Sequence, residues 1–274
     1  MDGVYLDAPR PKTIARPLLL PPGARADLAV SCPSAGRFVL SSSENPDVMT
    51  WGQQTGFNNG VLAIVDVSGP YKKMQPPSSL PPRPSTYLPD LLHVHGASVH
   101  AMSVRWDILH VINNTKGLTD VPIYGINNKS FSMAVMDRCV EVSDVEVEEW
   151  TIVNPIWLCN ASQPNCLSTM HRNVTSPDYT QPVDISHGFH MHTFKFQVAS
   201  STDTHAPDAE VGDWRDTLFT PTAGSVTVRW RPSLFTGVVP FHCHMSVHSD
   251  RGMMGQLEVR ESCPPPTQQD QPTD

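Results

Sequence analysis

Between residues 241 and 254 the chain reads Phe241-His-Cys-His-Met-Ser-Val-His248-Ser-Asp-Arg-Gly-Met253-Met254. A single cysteine stands between two histidines, with His248 five residues beyond it and Met253 ten. A thiolate, imidazoles and a weakly held thioether are the donor set of a blue-copper centre rather than of zinc, calcium or magnesium. The two histidines flanking the cysteine are surplus to such a centre. On a strand, successive side chains point to opposite faces. If 238–244 is extended, Cys243 faces one way and His242 and His244 face the other, so one short segment serves two metal sites joined through adjacent residues. The plainer alternative is a buried core thiol with surface histidines, and the fixed spacing of four donors argues against it.

A second cluster gives the surplus imidazoles a destination. In His187-Gly-Phe-His190-Met-His192, His190 and His192 share one strand face and His187 has the opposite parity. With this strand beside 238–244, one copper receives His187, Cys243, His248 and Met253. The other side collects His190, His192, His242 and His244. Asp184 and Asp216 are candidates to orient ligating imidazoles, which commonly need such a partner.

The elements that must position these residues read as strands. Alternation runs through Ser103–Ile112, Cys139–Val142, Val145–Val153, His190–Val198, Gly224–Trp230 and Gly255–Arg260, the pattern of half-buried strands. Shorter apolar runs at Pro17–Leu20, Asp27–Val30, Arg37–Ser41 and Gly60–Asp66 are too few to close a sandwich. The expected organisation is therefore all-β: a partial domain over 1–68, a proline-rich linker over 69–100, a complete Greek-key sandwich over 101–261 and a low-complexity tail over 262–274. The polar stretch 156–182 reads as a surface loop.

Composition sets bounds. At 274 residues the chain is long enough for one large or two small domains with sizeable cores, and 27 prolines favour many turns over long helices. A formal charge of −8 argues against a nucleic-acid partner. No apolar stretch is long enough to span a bilayer. The first ten residues lack the basic start and apolar core of a secretory signal. Cys159 and Cys166 are near enough in sequence to pair, although pairing cannot be read from spacing. Asn113, Asn128, Asn160 and Asn173 each open an Asn-x-Ser/Thr acceptor sequence, which leans toward a secreted, glycosylated protein of the extracellular space or secretory pathway.

The motifs His-x-x-His-x-His at 187–192 and His-Cys-His-x-x-x-His-x-x-x-Gly-Met at 242–253 resemble those of the multicopper oxidases, the group of laccases, bilirubin oxidases, cuprous oxidases and ferroxidases. Pro-Gly-x-Arg-x-Asp at 22–27 and Trp214-Arg-Asp-Thr217 add to the likeness. The resemblance implies cupredoxin-like domains, with 1–66 similar to the end of the family's second domain and 101–261 to its third. It implies type 1 copper on His187, Cys243, His248 and Met253, type 2 copper on His190, and type 3 copper on His192, His242 and His244. It further implies a small reducing substrate (a phenol, a pigment or a metal ion), dioxygen reduced to water, and electrons passing through Cys243 to its flanking histidines. Half of the family's three-copper ligands lie in an N-terminal domain, so a missing domain or partner chain is expected to complete that site; truncation would also account for the absent signal. His93-Val-His95-Gly96 superficially matches one of those motifs but opens the wrong domain. Gly188 and Thr193 stand where the family commonly has proline and glycine, and Ser249, followed by Asp250, stands where cuprous-oxidase-like members often have an acidic residue, which leaves proton delivery unassigned. A blue electron-transfer cupredoxin without oxidase activity is the competing expectation.

Overall fold

The computed structural model describes residues 1–13, 18–42, 60–70, 72, 75, 77–112, 121–155, 157–159, 181–183, 187–202, 209–220 and 224–265. In chain order the strands are β1 (Gly36–Ser42), β2 (Gly60–Val67), β3 (Val99–Ile112), β4 (Val121–Ile126), β5 (Arg138–Glu141), β6 (Val147–Asn154), β7 (Trp157–Cys159) and β8 (Gln181–Val183). They continue as β9 (His187–Met191), β10 (Phe196–Ser201), β11 (Trp214–Arg215), β12 (Thr217–Thr220), β13 (Gly224–Trp230), β14 (Gly237–Cys243) and β15 (Met254–Arg260). One helical turn, α1 (Ser246–Ser249), lies between β14 and β15. The chain is all-β, as the alternation predicts.

Two sheets form the sandwich. One runs β11-β10-β13-β6-β3-β4 and the other β12-β9-β14-β15-β5. Strands β6, β13 and β14 bury every second residue, and these inward rows meet in a core of Trp106, Trp150, Trp230, Phe189, Phe196 and Phe241. Trp150 meets Phe241 edge-on at 5.0 Å and Trp230 at 5.6 Å. Such pairs add about 0.5–1.5 kcal/mol beyond area burial.

The expected continuous strand at 190–198 is two strands. β9 belongs to the five-stranded sheet and β10 to the six-stranded one, and the chain changes sheets at 192–195. Thr193 takes a φ of +66° at that corner, while His192 N–H donates to the Pro240 carbonyl at 3.0 Å. Alternation persists on both sides of the corner, so periodicity cannot reveal it. Nor do Leu18–Leu20 and Asp27–Val30 form strands.

The N-terminal segment lies against the sandwich. Val4, Leu91, Val147 and Trp214 form a small apolar cluster, and Arg10 makes a two-pronged ion pair with Asp213 at 2.6 and 2.8 Å. Leu91 N–H donates to Gln197, and Arg229 reaches the carbonyls of Leu91, Leu92 and Val94. β1 and β2 form a separate antiparallel ribbon with mostly exposed side chains. Cys139 on β5 is disulfide-bonded to Cys263. A Cys159–Cys166 pairing would involve Cys166, which lies outside the described residues, as do Asp184 and most of 156–182.

Candidate metal centres

Register delivers the first site. β14 lies antiparallel to β9 with Cys243 opposite Phe189 and His242 opposite His190. Cys243, Phe241 and Val239 therefore point into the core, and His187 at the start of β9 faces the same interior. α1 turns the chain back so that His248, also buried, arrives beside them.

Their donor atoms form a near-equilateral triangle. Cys243 Sγ lies 3.6 Å from His187 Nδ1 and 3.5 Å from His248 Nδ1, and the two nitrogens are 3.2 Å apart. The centre of such a triangle is about 2 Å from each corner, the reach of a trigonal His2Cys copper site. Met253 is fully buried, and its carbonyl accepts from Cys243 N–H at 3.1 Å. Trp106 lies 5.4 Å from the His187 ring and Tyr124 4.4 Å from that of His248.

Electrostatics suit a soft cation here. Burial pushes the Cys243 thiol up to about 12. Burial also lowers His248 to about 4, with Arg251 helping, and holds His187 well below the usual imidazole range, with His248 adding to the effect. Both imidazoles are thus neutral with lone pairs to offer. The buried thiol needs a positive charge beside it before it ionises.

The second site lies on the opposite face of the same strands. His190, His192 and His242 bring their ring nitrogens within 4.8 Å of one another, with His192 Nε2 and His242 Nε2 only 3.1 Å apart. The His244 ring lies alongside, edge-on to His190 at 5.2 Å and tilted against His242 at 5.4 Å, outside that tightest group. A carbonyl can only accept, so the contact of His190 Nδ1 with the Asp216 carbonyl at 2.8 Å puts the proton on Nδ1 and leaves the Nε2 lone pair free to ligate a metal. The same logic applies to His242, whose Nδ1–H donates to the Cys243 carbonyl at 2.9 Å. Burial lowers His190 to about 4 and lowers His242 as well.

Behind His190 is a polar support. Thr217 Oγ1 is 2.9 Å from His190 Nδ1 and donates to Asp216 Oδ1 at 2.8 Å. Asp216 accepts two bonds from Arg25, at 2.7 and 2.6 Å, and one from Lys195 Nζ. Burial alone would raise this carboxyl, but the bonds from Arg25, Lys195 and Thr217 outweigh it and hold the group well below the usual carboxylate range. Asp216 thus stands behind an imidazole as its candidacy implies; Thr217 lies in the Trp214–Thr217 motif, which assigns it no role, and Lys195 carries no spacing signal. Arg25 lies in a motif to which the sequence gives no role. His93 and His95 belong to neither three-residue group found among the described residues, and His100 pairs with Glu146 at 2.9 Å.

These motifs and this sandwich have relatives. A multicopper oxidase family model matches residues 87–262; the chain belongs to that family, whose members use copper. No curated protein sequence matches the chain. Among solved structures it is similar to a multicopper oxidase from Campylobacter jejuni described as a metallo-oxidase, at 20% identity and TM-score 0.54, over 84% of this chain and 42% of that one. A multicopper oxidase from Pseudomonas thermotolerans follows at 17% identity and TM-score 0.47, over 73% of this chain and 38% of that one. The first of these likenesses, at this identity, shows the cupredoxin-like fold alone. The chain spans less than half the length of these structures.

Proposed function

We propose that this chain carries the substrate-side copper centre of a multicopper oxidase together with half of its dioxygen-side cluster. Family membership supports a copper oxidoreductase. The observation that carries the finer reading is that one short segment, β14 and the residue directly after it, presents Cys243 to a buried three-donor site and His242 and His244 to an imidazole group on the other face. In this reading His187, Cys243 and His248 would hold type 1 copper, with the buried Met253 offering a thioether beside them. His190 holds type 2 copper, and His192, His242 and His244 serve the type 3 pair. Bound copper supplies one-electron oxidation of a small phenol, pigment or metal ion on one side and reduction of dioxygen to water on the other. The protein fixes the spacing of the two sites through the covalent link Cys243–His242 and Cys243–His244, selects the imidazole tautomers and keeps water from the thiolate. Histidine motifs from an N-terminal domain or a partner chain complete the cluster. We assign residues 1–68 to the end of a preceding cupredoxin-like domain, 69–100 to a linker, 101–261 to the copper-bearing domain and 262–274 to a tail. A secretory or extracellular setting is part of the proposal, supported by the Cys139–Cys263 disulfide. Among the described residues no helix is long and apolar enough to cross a membrane.

The test is copper binding by the 274-residue chain. The expected result is an intense visible thiolate-to-copper band that Cys243→Ser abolishes, with copper in excess of one per chain once the missing histidine motifs are supplied. An intense band with one copper per chain under all conditions would instead identify an electron-transfer cupredoxin. The completeness of the buried site within this chain favours that second reading over any without copper. Loss of neither band nor copper in Cys243→Ser would overturn both.

A further inference from the structure

We infer that the N-terminal turn at 21–25, tied down by Asp2, is a positioning element of the imidazole group, acting on His190 through Asp216 and on His244 directly. Two separate contacts carry this. Arg25 grips the Asp216 carboxylate with both guanidinium nitrogens, and Asp216 is bonded to the Thr217 hydroxyl that meets His190 Nδ1. Gly23, at a φ of +83°, packs so tightly against the His244 imidazole that any Cβ would overlap the ring. The turn therefore fixes one histidine through a chain of hydrogen bonds and walls in another by contact.

Asp2 locks the turn to the sheet. It is fully buried. Its Oδ1 accepts from Arg25 N–H at 2.9 Å, and its own N–H donates to the Arg25 carbonyl at 2.8 Å. Oδ2 faces the N–H groups of Asp216 and Thr217, each at 3.4 Å, and its carbonyl accepts from Lys195 Nζ at 2.7 Å. Residues 190 and more positions away in sequence thus share one polar knot. Buried polar groups so connected define a single arrangement, because each partner lost leaves another unsatisfied. The consequence is that His190 is held as one tautomer, with Nε2 directed away from the knot. The inference rests on the reading of this face as a copper half-site, but its test does not need copper.

The test is long-range proton–nitrogen NMR of histidine-labelled, copper-free 274-residue chain. Wild type should show His190 as a single Nδ1–H tautomer with two well-separated nitrogen lines. In Arg25→Ala those lines should move toward tautomer-averaged positions, and Arg25→Lys, which keeps a cation on Asp216, should restore them in part. Gly23→Ala should shift His244 while leaving His100 unmoved. Arg25 is about half exposed, so its truncation leaves the core intact, and the retained His100 signals report the fold in each variant. Unchanged His190 lines in Arg25→Ala together with unchanged His244 lines in Gly23→Ala would overturn the inference. If the lines shift as expected but this face never takes up copper, the positioning role stands and the oxidase reading alone falls.

Discussion

Acidifying the copper-free chain should destabilise it through its buried imidazoles, and His248 isolates the effect. Its folded pKa of about 4 lies below the ordinary 6.5 because the ring is buried and Arg251 is near. Between those values the unfolded chain binds a proton that the folded chain refuses. The stabilisation is therefore full above pH 6.5 and is lost as pH falls toward 4. From pH 7 to pH 5 this amounts to about 2 kcal/mol for His248 alone, with His187 acting in the same direction. Glu148 and Asp137, which burial raises, titrate with the opposite sign and would blur a single comparison. The difference between wild type and His248→Gln removes them. Urea unfolding followed by tryptophan fluorescence at both pH values gives the four stabilities. Wild type should lose about 2 kcal/mol more than the variant across the interval. Equal losses would mean that His248 is not a neutral, desolvated imidazole in the folded chain, and the electrostatic account of the buried site would be wrong.

Other outcomes follow from separate features. Replacing Cys139 and Cys263 by alanine opens a loop of 124 residues and should cost about 5 kcal/mol on the chain-entropy account, read as a fall in the urea midpoint. Thr193→Gly should stabilise by about 0.5–1 kcal/mol, since a β-branched residue is strained at its φ of +66° and glycine is not; an unchanged midpoint would count against that corner geometry. Gly252→Ala should destabilise by about 1–3 kcal/mol, because at a φ of +107° its Cβ would meet the Tyr124 carbonyl at 2.6 Å and the Ser130 side chain. Copper should raise the melting temperature of wild type, as any ligand of the folded state does, and raise it far less in Cys243→Ser.

What the sequence disclosed depended on range. The parity of 238–244 placed Cys243 inward and its flanking histidines outward, and the inward burial of Val239, Phe241 and Cys243 follows that pattern. Period two is a local property, so a strand advertises its faces. The sheet change at 192–195 is invisible because the alternation simply resumes on the other sheet. Asp2 and Arg25 meet Asp216 only after the chain has folded over the sandwich, and no spacing encodes a bond across 191 residues. The disulfide is illegible in the sequence for the same reason: Cys139 and Cys263 come together only because β5 lies parallel to β15. Short motifs around Arg25 and Asp216 were visible, yet nothing local says that they touch.

The ladder between β9 and β14, with His242 opposite His190 and Cys243 opposite Phe189, works as a jig for both sites at once. Because strands slip only in whole residues, and one step exchanges the two faces, the thiol cannot drift gradually toward the imidazoles. A one-residue insertion in β14 would send the sulfur out among the histidines and an imidazole into the aromatic core. The separation of the two sites is consequently quantised by the pleat of a single strand. Fine adjustment is left to side-chain rotamers and to the hydrogen bonds that grip them from behind.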